Sequence, residues 1–438
     1  MSKKDDKKTI VPEKTDMGIF VALDLGATEV RAIAAKKDNQ GNFETMAIAS
    51  TPSKGIQRGA IHNIEEAKFA INHVLTDLEN NIKNLTNKGV TDIYEQVNVK
   101  IEQVYVALNG QSIRTVINKV ARRLGGEFIT ADHIDDFNRE NGKIPHNDEE
   151  ILEIHPIQYL VDDEEISSPI GCRCEVIQAT YNIILGKKTL LGNLRVCLES
   201  IGRKLAGYCV SPIAAANACI SKNEKELGIV MLDFGDSTTN LAIYHKGKMR
   251  YSLVVPIGGS IITNDIACLR IVKEEAEKIK KAGNCHIDKS KPDIIVGLSN
   301  GKNVSYHVIC DVIERRIDLI LEYIKLGIKE SNLAVGPQLD QVVLLGNASN
   351  LLGLKGKIEE KIGLAAHKGK ILNQYDMLVK QNNNYAVALG TLLTAKENCA
   401  VSTKINARPK EKKSVIDKIN KSIGWLFSEL EEDNQKNK

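Results

Sequence analysis

Aromatic residues make up only 4% of this 438-residue chain, and it has a single tryptophan. That scarcity removes the stacking platforms on which proteins hold single-stranded nucleic acid. An excess of one charge is missing too. The 59 Lys and Arg against 56 Asp and Glu leave a formal net charge of +3, too little for a broad electrostatic footprint, and no nucleic-acid partner is expected. No apolar run reaches the length that crosses a bilayer. The lysine-rich start, MSKKDDKKTIVPEKTDM, lacks the apolar stretch of a signal peptide. The 9 cysteines are scattered; Cys172 and Cys174 form one CxC with no second pair at zinc-ligand spacing. Reduced thiols in a cytoplasmic protein are therefore expected rather than a metal cluster. What remains, 42% hydrophobic and 26% charged, is a soluble globular composition, on a chain too long for one core.

One phrase is written twice. FVALDLGATEVRAIAA carries Asp24, Gly26, Ala27 and Thr28; IVMLDFGDSTTNLAIY carries Asp233, Gly235, Asp236, Ser237 and Thr238. Each reads as a buried strand, an Asp-x-Gly turn and a second alternating strand. A glycine-tipped hairpin exposes backbone N–H groups that can cradle an anion, and a carboxylate at the strand end can hold Mg²⁺ through water. One such Asp is more simply a turn cap. Two copies with the same flanks read as a pair of jaws on one nucleotide, with Asp24 and Asp233 as the metal-side acids.

Between the jaws, ETMAIASTPS reads as a third strand and Ile64 to Leu85 has helical apolar spacing. QVYVALNG is a strand ending in an Asn-Gly turn. The polar text from there to about Pro169 behaves as an inserted module, after which CEVIQATYNIIL resumes as a strand and Thr189 to Arg203 as a helix. Beyond the second hairpin, Gly258 and Gly259 precede a helix start. EEAEKIKKAG and His307 to Lys329 read as helices, and LLGNASNLLGL as strand, glycine turn and helix around Gly346, Asn347 and Ala348. An adenine ring could lie on those small residues with the helix N-terminus toward phosphate. Alternating strands and helices around antiparallel hairpins argue α/β lobes with mixed sheets.

The hairpins, the Gly346 turn and the AEKIK helix resemble the actin-like ATPase superfamily. SKGIQRGAIHNIEEAKFAI, VYVALNGQSI, HPIQYLVDDEEISSPIG, KELGIVMLDFG and IGGSIITNDIA are similar to FtsA, a bacterial cell-division family, over about Gly18 to Gly390. The resemblance implies a two-lobed actin-like ATPase fold with an FtsA-type inserted subdomain and a C-terminal amphipathic helix. It implies ATP and Mg²⁺ as ligands, with Glu277 and Lys280 near the ribose. Its partners would be the FtsZ C-terminal peptide, further copies of the chain in a filament, an anionic lipid membrane and other division proteins. Arg316 matches the family arginine at the FtsZ-peptide site. The site of action would be the inner face of the cytoplasmic membrane at the septum. Where the family reads D-I-G-G-G-T-x-D this chain reads DFGDSTTN, so Asp236 and Ser237 replace glycines and Asn240 the closing acid. A carboxylate beside a triphosphate is repulsive, so at most weak ATPase activity is expected.

The implied division is a disordered tail over 1–17 and a first nucleotide-binding lobe over 18–92 with 173–210 and 386–397. The insert would cover 93–172, and the second nucleotide-binding lobe 211–260 with 335–385. An outer subdomain would follow over 261–334, a linker over 398–413 and the helix over 414–431. In that helix Val415, Ile416, Ile419, Ile423, Leu426, Phe427 and Leu430 share about a third of the wheel, bordered by Lys418 and Lys421, with Trp425 off centre. Beyond a linker, a basic amphipathic helix suits interfacial membrane binding; docking on its own body or on a partner is the plainer alternative. Other readings of the whole chain are a nucleotide-independent scaffold of the same shape and a small-molecule kinase of the superfamily. An Hsp70-like chaperone would need a substrate domain, and too little chain follows Gly390.

Overall fold

The computed structural model describes residues 14–86, 97–144, 147–286, 290, 292–372 and 383–404. Two five-stranded sheets follow one plan. In the first, Ile19–Leu25, Glu29–Lys37 and Phe43–Pro52 form an antiparallel meander. Gln103–Leu108 and then Lys204–Val210 add in parallel on the other side of the first strand. In the second, Ile229–Phe234, Thr239–His245 and Lys248–Val255 form the meander, and Gln341–Leu345 and Ala365–Lys368 add in parallel. The opening strand of each sheet is central and covered on both faces, which is why its apolar run is unbroken.

Parallel additions require crossovers, and the helices supply them. Ile64–Thr86 buries Ala67, Ile71, Val74, Leu75, Leu78 and Ile82 along one stripe against the first sheet. Tyr306–Glu330 does the same in the second lobe through Ile313, Ile317, Ile320, Ile324 and Ile328. Assigned from sequence to an outer subdomain, this helix shares the second lobe's own core. Each sheet is followed by a short helix of small residues, Ser211–Cys219 and Ala386–Leu392, and these two pack together. At Gly390 a Cβ would lie 1.7 Å from the Ala214 carbonyl oxygen, so only hydrogen fits there.

The lobes are interrupted at different points of the shared plan. The first is broken after its fourth strand, where Arg114–Phe128, Glu149–Val161, Arg173–Lys187 and the short Glu164–Glu165 make a four-stranded antiparallel sheet. Helix Ala131–Gly142 covers one face around Phe137, Tyr159 and Tyr181. The second lobe is broken after its third strand by helices Gly259–Ala267 and Lys273–Ala282 and the small hairpin Ile295–Gly297 with Asn303–Ser305.

Two expected boundaries therefore move. Gln103–Leu108, placed in an insert over 93–172, is a strand of the first lobe, and Arg173–Lys187, placed in the first lobe, is central to the inserted sheet. The reason is physical. This strand is half-buried at its start and fully buried over its last part, so it reads as lobe although it pairs as insert. The tail and linker boundaries move too. Lys14–Asp16 pairs with Ala400–Lys404, which also pairs with Val97–Ile101 in a three-stranded sheet. Partners this distant in sequence leave no local periodicity to read. Residues 1–13 of the tail, 405–413 of the linker and the whole helix over 414–431 lie outside the described residues.

Candidate functional site

Both hairpins close in the same register. Leu25 pairs with Val30 and Asp24 with Arg31, leaving Gly26 to Glu29 as the tip. Phe234 pairs with Thr239 and Asp233 with Asn240, leaving Gly235 to Thr238. Position for position, Ala27 corresponds to Asp236, Thr28 to Ser237 and Arg31 to Asn240. The tips face each other across a cavity of about 780 Å³, and every residue assigned from sequence to nucleotide contact lines it. From the first tip these are Asp24, Gly26, Ala27 and Thr28; from the second, Asp233, Gly235, Asp236, Ser237 and Thr238. Glu277 and Lys280 come from helix Lys273–Ala282, and Gly346, Asn347 and Ala348 from the end of the fourth strand of the second sheet.

Glycine at 346 is a requirement of this arrangement. Its φ is +78°, and a Cβ would lie 2.2 Å from the Phe234 carbonyl oxygen and 2.5 Å from Asp233 Oδ1. The expected helix start at this turn is displaced. A 3₁₀ turn, Asn347–Asn350, intervenes, and the helix runs Leu354–Ile362 from a left-handed Gly353. The N-terminus of helix Gly259–Ala267 is also committed. Gly259 N donates to Gly235 O and Ser260 N to Asp236 O, so the second tip caps that helix. A Cβ at Gly258 would strike the same tip carbonyls at 2.6–2.7 Å.

Burial sets the electrostatics of the cleft. Burial pushes the Asp24 carboxyl up to about 6; Arg31 works against this and the nearby Asp233 adds to it. Burial raises Asp233 as well, opposed by the Asn240 amide, whose Nδ2 donates to Asp233 Oδ2 at 3.2 Å, and by Arg31. Asp236 is raised by burial, partly offset by Lys280. Lys280 is itself buried and donates to Gly259 O at 3.0 Å, Thr263 Oγ1 at 2.9 Å and Glu277 Oε2 at 2.6 Å. Burial opposes ionisation of Glu277, but the bonds from Lys280 and Thr263 outweigh it and hold its carboxyl below the usual range. Ser211 Oγ and Asn240 Oδ1 are buried, belong to residues lining the cavity and have no hydrogen-bond partner among the described residues. Buried polar atoms are nearly always paired, and a polar group in the cavity would satisfy these two.

Several residues of the cleft were not singled out from sequence. Asn109 Nδ2 donates to Thr238 Oγ1 at 3.2 Å, joining the root of the insert to the second tip. Its Asn-Gly dipeptide signalled a turn, not a bridge between lobes. Arg31 and Glu29 could have been found by counting back from Asp24 around the tip; nothing local marks Ser211. Away from the cleft, Arg316 donates to both carboxylate oxygens of Asp265, at 2.6 and 2.9 Å.

Two lobes of one plan, with a cleft between their first hairpins and an α+β module in the first lobe, define a two-lobed actin-like fold. The model for "SHS2 domain inserted in FTSA" matches residues 110–185, and that for "Cell division protein FtsA" matches residues 230–390. The chain belongs to the FtsA family of cell-division proteins. It is 27% identical to the FtsA of Bacillus subtilis (strain 168), over 70% of this chain and 68% of that one. To the FtsA of Shigella flexneri it is 24% identical over 95% of both chains. Among solved structures, the PilM-PilN type IV pilus biogenesis complex shares the fold, with a TM-score of 0.57 and 16% identity over 85% of this chain and 97% of that one.

Proposed function

We propose that this actin-like division protein binds ATP with Mg²⁺ as a switch, self-associates, and ties FtsZ filaments to the inner face of the cytoplasmic membrane at the septum. The observation that carries the nucleotide part is the convergence of both hairpin tips, Lys280 and the Gly346 turn on one cavity. Its volume suits a nucleotide, and two half-buried carboxylates in one lining with unpaired polar atoms suit a hydrated cation and phosphate oxygens. Bound Mg²⁺ would neutralise phosphate charge, with Asp24 and Asp233 holding it through water. The chain's own contribution is to present tip N–H groups and the Thr28, Ser237 and Thr238 hydroxyls to phosphate, and Glu277 and Lys280 to the sugar side. Asp236 at the second tip opposes triphosphate charge and argues for weak turnover, a switch rather than an engine. It also favours a second reading, a scaffold of the same shape that works without nucleotide.

Membrane attachment is assigned to residues 414–431 and the FtsZ C-terminal peptide to the surface around Arg316, whose bidentate partner Asp265 the peptide's acids would have to displace or share. Among the described residues no helix is long and apolar enough to cross a membrane, and one amphipathic helix binds reversibly. Self-association would let many weak anchors act together, with other division proteins recruited to the assembly. Calorimetry with ATP and Mg²⁺ tests the switch: saturable binding is expected, and no heat at millimolar nucleotide would leave only the scaffold. Removal of 414–438 should abolish co-sedimentation with anionic liposomes; retained binding would overturn the tether.

A further inference from the structure

We propose that the lysine-rich segment Lys3 to Lys8 is a second membrane contact, binding anionic lipid headgroups beside the cations of the linker that leads to the C-terminal helix. It rests on the assignment of 414–431 to the membrane and supplies the electrostatic attraction which that helix lacks.

Strand pairing is the first ground. Lys14 stands across from Thr403 and Asp16 across from Val401 in an antiparallel pair. The chain before Lys14 and the chain after Lys404 therefore leave the sheet at the same end, from neighbouring strands about 5 Å apart. That end is firmly held on the first lobe. Ala400–Lys404 is bonded on both flanks, and Cys399 N donates to Ile19 O at 2.6 Å. In the third strand, Ile101 N donates to Glu79 Oε1 at 2.6 Å, and the same oxygen lies 2.9 Å from Arg203 Nη1. Two stretches far apart in sequence thus start out side by side from one rigid edge.

Charge is the second ground. Residues 1–13 hold Lys3, Lys4, Lys7 and Lys8 against Asp5, Asp6 and Glu13, and residues 405–413 hold Arg408, Lys410, Lys412 and Lys413 against Glu411. Eight cations against four acids in these stretches exceed the net +3 of the whole chain, so everything else is slightly acidic. The helix over 414–431 brings no attraction of its own, because Lys418 and Lys421 face Asp417, Glu429 and Glu431. Its apolar face can insert, but lasting attachment takes a second signal such as a basic patch. Cations held near an anionic surface strengthen binding cumulatively, and two segments that share an exit act together at high local concentration. The plainer account is a solvated tail in which Asp5 and Asp6 cancel the lysines. Under it, neither the lysines nor the aspartates affect lipid binding.

The test is co-sedimentation of the full chain at low salt with phosphatidylglycerol–phosphatidylcholine vesicles and with pure phosphatidylcholine vesicles. One variant combines Lys3→Gln, Lys4→Gln, Lys7→Gln and Lys8→Gln; a second combines Asp5→Asn and Asp6→Asn. The lysine variant should lose about fivefold or more in affinity for the anionic vesicles and about twofold or less for the neutral ones. The aspartate variant should bind the anionic vesicles more tightly, a change of sign that damage to the fold does not produce. An unchanged lysine variant overturns the proposal, as do equal losses on both vesicles or a shift of both variants in the same direction. Wild type that binds neither vesicle overturns the membrane reading itself.

Discussion

The two jaws of the cleft have one backbone and opposite electrostatics. The first pairs its acid with a cation and keeps a small neutral tip, Ala27; the second pairs its acid with an amide and carries Asp236 at the matching place. Register and tip length are set by pairing, which tolerates any residue that fits the turn, whereas the ligand feels the side chains. Duplicated geometry therefore fixes where a nucleotide would lie, while unlike charge would decide which half favours phosphate and which resists it.

The strongest test of the shared geometry is steric. Gly346 follows the fourth strand of the second sheet, as Asn109 follows that strand in the first. Gly346→Ala should cost about 3 kcal/mol or more, from the backbone collision and a φ unsuited to alanine, and lower the thermal midpoint markedly. Asn109→Ala loses the hydrogen bond to Thr238 and the one accepted from Gly110 N and should cost about 1–2 kcal/mol. Comparable losses for the two would mean that the first lobe tolerates change at this point as poorly as the second.

Charge tests sharpen the contrast. Asp233→Asn should weaken Mg²⁺-supported ATP binding by about tenfold or more. Asp24→Asn should cost less, because it relieves Arg31 of one of its two acids, Asp24 at 3.8 Å, while Glu29 at 2.6 Å remains. Asp236→Ala, which gives the second tip the residue of the first, should tighten ATP binding by about fivefold, about 1 kcal/mol of relieved repulsion at a partly solvated site. A weaker complex would mean that Asp236 serves the ligand.

Acidity gives the smallest effect. The Asp24 carboxyl is raised to about 6 in the folded protein from 3.8 when unperturbed. The folded state then binds more protons than the unfolded state between these values, so this group's contribution to stability without ligand is full below the lower value and is lost as pH rises through the upper one. Mg²⁺ needs the ionised form and should bind less well as pH falls through 6. Thermal melts and Mg²⁺-dependent ATP titrations from pH 8 to 5 should thus move in opposite directions. Parallel movement would mean that Asp24 does not govern the metal side.

Both hairpins were legible because a buried strand, an Asp-x-Gly turn and a second strand are local signals, as was the apolar stripe of Ile64–Thr86. Strand pairing over long distance was not. Arg173–Lys187 is buried like a lobe strand and pairs as part of the insert, and nothing within the five residues Ala400–Lys404 announces neighbours at Lys14–Asp16 and Val97–Ile101. Cleft residues carried on the tips could be read from the sequence. Asn109 and Ser211 could not, because their roles depend on the other lobe or on a helix crossing.

The sheet that joins those three short strands has a mechanical meaning. Ala400–Lys404 is its middle strand, hydrogen-bonded on both flanks, and Cys399 just before it donates its N–H to Ile19 O, at the start of the central strand of the first lobe. Tension applied through the chain beyond Lys404 would arrive along this strand and load two rows of hydrogen bonds in shear at once. A strand held on one edge would peel away bond by bond; this one must slide as a unit, which makes it a suitable grip for a pulled tether.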